Sequence, residues 1–167
     1  MAQAPAAVPS HYLYPCMVFA HRQEHQVATV LGSCVAVCLR DPAVEVGGIN
    51  HYMLPLWNGD GLATPKYGNI AVEKLIQAML DRGCAHARLV AKIFGGANVI
   101  GHGPGAFSVG ERNIALAEDL LAQEHIPIAA ADVGGNFGRK ILYNTRTGSV
   151  LVSRLQRTDA LPDGRPR

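Results

Sequence analysis

Apolar residues recur along this chain with two different periods, and the changes of period mark the elements. Over residues 69–82, Val72, Leu75, Ile76, Met79 and Leu80 fall at i, i+3, i+4, i+7 and i+8, one apolar face of a helix, with Gly83 as its C′ residue. A second helix is predicted from Ser108-Val109-Gly110-Glu111, a Ser-x-x-Glu capping box; Ile114, Leu116, Ala117, Leu120 and Leu121 are its packing positions and Pro127 closes it. Elsewhere the apolar runs are short, rich in β-branched residues and bounded by Gly, Pro, Asn or Asp. They predict strands over 14–19, 26–31, 35–39, 44–52, 88–94, 128–133, 139–144 and 149–155. Strands and helices in no regular alternation predict an α+β domain, layered β-sheets packed with two main helices, rather than a doubly wound sheet. Residues 1–10 and 156–167 lack a periodic apolar pattern and read as flexible ends around a single domain at 11–155.

The runs 35–39 and 44–52 read as a hairpin around Asp41-Pro42-Ala43, where Pro presets φ and the Asp carboxylate accepts a hydrogen bond from a nearby backbone N–H. With Pro42 and Ala43 as central turn residues, cross-strand partners have numbers summing to 85, and Cys34 falls opposite His51. Opposed Cβ atoms lie roughly 4.5–5.5 Å apart. A thiol and an imidazole at that separation can share a proton, giving the thiolate–imidazolium pair that makes a cysteine nucleophilic at neutral pH. The expectation depends on register, because a slip by one residue sends the two side chains to opposite faces. The Gly32-Ser33 break just before Cys34 frees backbone N–H groups that could face a developing oxyanion. The same two residues also fit a cysteine packed as a small hydrophobe and a strand-end histidine with no chemistry.

Composition narrows the alternatives. The chain has 167 residues, 49% hydrophobic and 17% charged, enough for one core, and a net charge of +2 from scattered Lys and Arg leaves no nucleic-acid footprint. No apolar run approaches the ~18 residues of a membrane span, and no basic and apolar leader stands at the start, so a cytoplasmic protein without membrane insertion is expected. There the four cysteines stay reduced. Cys34 and Cys38 lie roughly 13 Å apart along a strand, too far to share one ion, and the seven histidines are dispersed, so no metal site is expected. The glycine-rich run GGANVIGHGPGAF lacks both the Gly-Lys-Ser/Thr closure and the dinucleotide fingerprint, and its glycines read as close backbone approach. The run LWNGDGLATPKYG after Pro55 reads as a long connection near the Cys–His pair, and Arg139 and Lys140 as solvated charges.

LGSCVAVCLRDP followed by HYMLP closely resembles the CheD family, the chemoreceptor glutamine deamidases of bacterial chemotaxis. AKIFGGAN at 91–98, VGERN at 109–113 and DVGGNFGRK at 132–140 follow in the family's order, so the resemblance covers roughly residues 18–155. It implies a layered fold shared with certain bacterial toxin deamidases. It also implies hydrolysis of glutamine side-chain amides in the methylation region of chemoreceptors, through a thioester on Cys34 with His51 as base and acid. The family's catalytic Thr lies a few residues before its Cys, which points to Thr29, and the resemblance makes Gly134, Gly135, Asn136 and Arg139 a loop for contact with substrate or partner. No metal or organic cofactor is implied. Chemoreceptors are the implied partners, with docking on a CheC-type phosphatase as an alternative role.

Overall fold

Every residue from Val35 to Leu39 is buried, with Val35, Val37 and Leu39 in one apolar cluster and Ala36 and Cys38 in another. Side chains of a strand alternate between its faces, so a strand that feeds two cores lies in the middle layer of a stack. In a computed structural model, which describes residues 2–99 and 108–156, that is where this strand lies. Among the described residues the strands are β1 (Ser10–Tyr12), β2 (Val18–His21), β3 (Gln26–Leu31), β4 (Val35–Asp41), β5 (Val46–Asn50), β6 (Val90–Gly95), β7 (Ile128–Val133), β8 (Arg139–Asn144) and β9 (Val150–Arg154); the α-helices are α1 (Gly68–Asp81) and α2 (Val109–Gln123).

The strands form a five-stranded sheet, β2-β5-β4-β6-β7, and a four-stranded sheet, β1-β3-β8-β9. Leu13, Val27, Leu31, Ile141 and Tyr143 meet Ala36, Cys38, Ile49 and Phe94 between the sheets. On the other face of the five-stranded sheet, Val35, Val37, Leu39 and Ile93 meet the apolar stripes of α1 and α2, led by Val72, Leu75, Met79, Ala117 and Leu121. The molecule is therefore α+β in three layers, with both helices on one side. No helix among the described residues is long and apolar enough to cross a membrane.

The helix signals were read correctly. Gly83, at φ +90°, follows the end of α1, and both hydrogen bonds of the Ser108–Glu111 capping box start α2. The strand expectations need three corrections. Residues 14–19 are not one strand: β1 ends at Tyr12, β2 begins at Val18, and the link between them turns through Cys16 at φ +68°. β5 ends at Asn50, short of the predicted Tyr52, although Tyr52 still forms an isolated bridge with Val35. The hairpin register also differs. Cys38 pairs with Ile49, Leu39 with Gly48, Arg40 with Gly47 and Asp41 with Val46, so partner numbers sum to 87, not 85.

The reason lies in the turn. A two-residue type I turn twists against the right-handed twist of paired strands, and the chain instead uses four loop residues, Pro42 to Glu45, with Glu45 at φ +54°. The expected Asp41 bond is present, with Ala43 N–H donating to Oδ1 at 3.0 Å. Because the register moved by two, Cys34 and His51 still share a face. They are diagonal neighbours instead of directly opposed ones.

Candidate active site

β4 starts immediately after Gly32-Ser33-Cys34, and the carbonyls of these three residues are all held. Gly32 O accepts from Ala97 N–H (2.9 Å), Ser33 O from the Asn113 side chain (3.0 Å) and Cys34 O from Gly96 N–H (2.8 Å). The fit is close: a Cβ on Gly95 would collide with Cys34 O, and one on Gly110 with the carbonyls of Gly96 and Ala97. With the carbonyls directed into the protein, the N–H groups of Ser33 and Cys34 make no backbone–backbone hydrogen bond among the described residues, and the Cys34 N–H faces its own sulfur. The Cys34 side chain stands half-buried at the mouth of a cleft of about 340 Å³, which Ser33, Met53, Leu54, Lys66, Asn98 and Val99 also line.

His51, one diagonal step from Cys34 across the strand pair, is only 1% exposed. Its backbone is fixed by the β1–β2 link, through Cys16 N–H to His51 O (2.8 Å) and His51 N–H to Met17 O (3.1 Å). Its ring is fixed from the other sheet: Thr29, fully buried on β3, has its hydroxyl 2.7 Å from Leu13 O and 2.8 Å from His51 Nδ1. These two contacts settle the tautomer. A carbonyl can only accept, so the single hydroxyl hydrogen goes to Leu13 O, and Thr29 Oγ1 accepts from His51 Nδ1–H. The lone pair is left on Nε2, a buried atom with no hydrogen-bond partner among the described residues. Of the sequence candidates, Thr29 and His51 are thus hydrogen-bonded to each other, and Cys34 lies one diagonal step from His51 on the same strand face, with no hydrogen bond between Sγ and Nε2.

The electrostatics differ from the expected ion pair. Burial, and then the nearby Cys16 sulfur, raise the Cys34 thiol above its ordinary value, against the downward pull of its own backbone N–H. Burial lowers His51 to about 4. Desolvation penalises the charged form of each group, so the free site holds a neutral thiol and a neutral imidazole.

Around the cleft the other candidates divide. Gly135 and Asn136 are exposed, and the 134–138 loop docks at the rim, Asn98 N–H donating to Gly135 O at 2.8 Å. Arg139 is not a solvated charge: it is 3% exposed, and its guanidinium donates to the carbonyls of Gly95, Asp132 and Gly134. It braces the turn from inside, and Lys140 beside it is exposed. The 56–67 connection is tied down by Trp57 Nε1–H to Asp60 O (3.0 Å) and by Asn69 Oδ1, which accepts from Trp57 N–H. Of the glycine-rich run, Gly95 and Gly96 make the close approaches expected of them, while 100–107 lie outside the described residues, as do 157–167 of the predicted C-terminal tail. His11, His21 and His25, dispersed in sequence, gather around Phe19. Among the described residues no cluster of His, Cys, Asp and Glu is arranged to hold a metal.

Two asparagines escaped the sequence reading. Asn50, fully buried, puts its side-chain oxygen 2.8 Å from Val37 N–H, in the place where a backbone carbonyl would complete the ladder, one residue before His51. Asn113 reaches from α2 to Ser33 O and to Met53 O, both at 3.0 Å. A polar amide at an apolar strand position, or on the buried face of a helix, was the available signal.

Residues 53–154 match the family model described as CheD chemotactic sensory transduction. The chain is similar to the probable chemoreceptor glutamine deamidase CheD of Trichlorobacter lovleyi, 49% identical over 152 residues that make up 91% of this chain and 94% of the relative. It is similar to the protein of the same name from Sulfurimonas denitrificans, 46% identical over 154 residues, 89% and 96% of the two chains. The probable chemoreceptor glutamine deamidase CheD 1 of Anaeromyxobacter dehalogenans is 42% identical over 144 residues, 86% and 84%. The span matched by the family model begins at Met53, past both Cys34 and His51, whereas the alignments with the first two relatives extend over the site as well.

Proposed function

The chain belongs to the CheD family, and on that premise we propose that it hydrolyses glutamine side-chain amides of chemoreceptors to glutamate, as a chemotaxis deamidase working through Cys34. The observation that carries the reading is the fixed imidazole. Thr29 Oγ1, oriented by its own bond to Leu13 O, holds Nδ1–H, which leaves a buried lone pair on Nε2 without a partner among the described residues, on the strand face that also carries Cys34, the thiol that lines the cleft. A base with one free nitrogen and an oriented ring is what a thiol nucleophile requires.

The reaction starts from the neutral pair. Cys34 Sγ attacks the amide carbon as its proton passes to His51 Nε2, and the amide oxygen becomes an oxyanion facing the N–H groups of Ser33 and Cys34. The imidazolium keeps its Nδ1–H on Thr29 and gives the Nε2 proton to the leaving nitrogen. The C–N bond breaks, ammonia departs and a thioester remains. Water then attacks the thioester, His51 takes its proton, the C–S bond breaks and the thiol is restored as glutamate leaves. Met53, Leu54 and Val99 give the cleft apolar walls suited to the methylene stem of a glutamine presented on a helix.

The test is mass spectrometry of a receptor cytoplasmic fragment incubated with the protein and with its Cys34→Ser variant. Deamidation adds about one dalton per glutamine, with the C–N bond replaced by C–O, and the variant leaves the mass unchanged. Cleavage of the fragment would make the protein a protease. An unchanged mass with stable association would leave only a docking role, of the kind a CheC-type phosphatase partner would also engage.

A further inference from the structure

The backbone ladder between β4 and the chain beyond β5 stops one rung before the cleft. Val35 and Tyr52 exchange both hydrogen bonds, N–H to O at 3.1 and 3.0 Å, and in the 87-sum register the next such rung would join Ser33 to Leu54. It is missing. Leu54 N–H turns away to Lys66 O (3.0 Å), the two chains part, and the cleft that holds Cys34 opens between them. Across the gap reaches the Asn113 side chain, which donates one hydrogen to Ser33 O and the other to Met53 O. Two carbonyl acceptors fix the sense of the amide, so Oδ1 points the other way, buried and without a partner among the described residues. A fully buried amide that leaves its acceptor unsatisfied costs free energy. In simple helix packing an apolar residue would do better, as Ala117 and Leu121 do farther along α2.

From this geometry we propose that Asn113 is a positioning residue of the thiol site. Its side chain replaces the missing rung and sets the distance between the chain that carries Cys34 and the chain that carries His51. Ser33 O belongs to the peptide that supplies the Cys34 N–H, so holding that carbonyl aims this N–H at the sulfur and at the amide oxygen of a bound substrate. α2 can act as a fixed arm because its residue 113 is tied down a second time, by Tyr52 Oη–H to Asn113 O at 2.5 Å. The inference deepens the deamidase reading and rests on it for the kinetic arm of its test.

The test compares Asn113→Leu, which keeps the volume and removes both donors without adding charge, and Asn113→Ser with Leu121→Ala, which loosens the same helix far from the clamp. For Asn113→Leu, kcat on a receptor fragment falls about 100-fold with KM within about threefold, consistent with a contact that matters at the transition state. Its Cys34 alkylation profile with iodoacetamide moves to higher pH, about threefold slower at pH 8. Leu121→Ala lowers Tm but leaves kcat, KM and the alkylation profile of the folded protein within about twofold. Wild-type kcat in the Asn113 variants, or a fall matched by Leu121→Ala at equal loss of Tm, overturns the proposal, as does failure of both Asn113 variants to fold. If the wild-type protein does not deamidate, the deamidase reading is what fails. The alkylation profile alone then decides on the clamp: a displaced profile upholds it and an unchanged one overturns it.

Discussion

The two ends of the β4–β5 hairpin both bury polar groups, and they treat them in opposite ways. At the turn, the Asp41 carboxylate is inaccessible yet fully engaged. It accepts from Ala43 N–H (3.0 Å), from Ala85 N–H (2.9 Å) and from the Arg88 guanidinium, Nη2 at 2.8 Å from Oδ2. Burial pushes its pKa up, but the Arg88 hydrogen bonds, the two backbone N–H groups and the Arg88 charge outweigh it and hold the carboxyl below its usual range. At the open end, His51 Nε2 and Asn113 Oδ1 are buried without partners among the described residues, and burial favours the uncharged forms of both thiol and imidazole. Satisfied groups stabilise a fold and have nothing left to offer a substrate. Unsatisfied ones cost stability and remain available for chemistry.

The largest test of that contrast is Cys34→Ser. It should cut deamidation about 1000-fold or more, about 4 kcal/mol of transition-state stabilisation, and leave Tm within about 2 °C, because the hydroxyl nearly fills the same space. Wild-type turnover in this variant would move the chemistry away from the open end. Asp41→Ala should do the reverse: about 3 kcal/mol of stability lost, from two part-buried N–H groups and the Arg88 guanidinium left without their acceptor, and kcat per folded molecule unchanged. Because the folded pKa is depressed, the share of this that belongs to the ionised carboxylate is complete above the unfolded value of about 3.9 and is lost as pH falls through the folded one. Urea denaturation of both proteins at pH 7 and at pH 3 should show the gap closing.

Acid acts on the open end at higher pH. His51 titrates at about 4 in the folded state and at about 6.5 unfolded, so the stability of its neutral form is complete above about pH 6.5. It is lost as pH falls toward 4, by up to about 3 kcal/mol. A His51→Asn variant should lack that slope; equal slopes in the two proteins would mean that the imidazole is not desolvated. The smallest expected effect is that of Thr29→Val, nearly isosteric but without the acceptor for Nδ1–H. We expect kcat to fall about 10- to 100-fold as the ring loses its orientation and its single tautomer, with KM little changed. An unaltered kcat would detach Thr29 from the imidazole's role.

Local order was written in the sequence. The apolar stripes of α1 and α2, the Ser108–Glu111 box and the Gly83 stop each depend on residues within a few positions of one another, where periodicity and capping act directly. Cys34 and His51 were placed on one face by the period of two along a strand, which survives the register error because the slip was an even number. What joins across the chain was not legible. Thr29 reaches His51 only because two sheets stack, Asn113 reaches Ser33 only because α2 lies across the opening beside β4, and Arg139 is buried only because the 134–138 turn folds over it. No local pattern encodes these contacts. They arise when apolar faces far apart in sequence are packed against each other, and the polar groups trapped between them must take the partners that packing brings within reach.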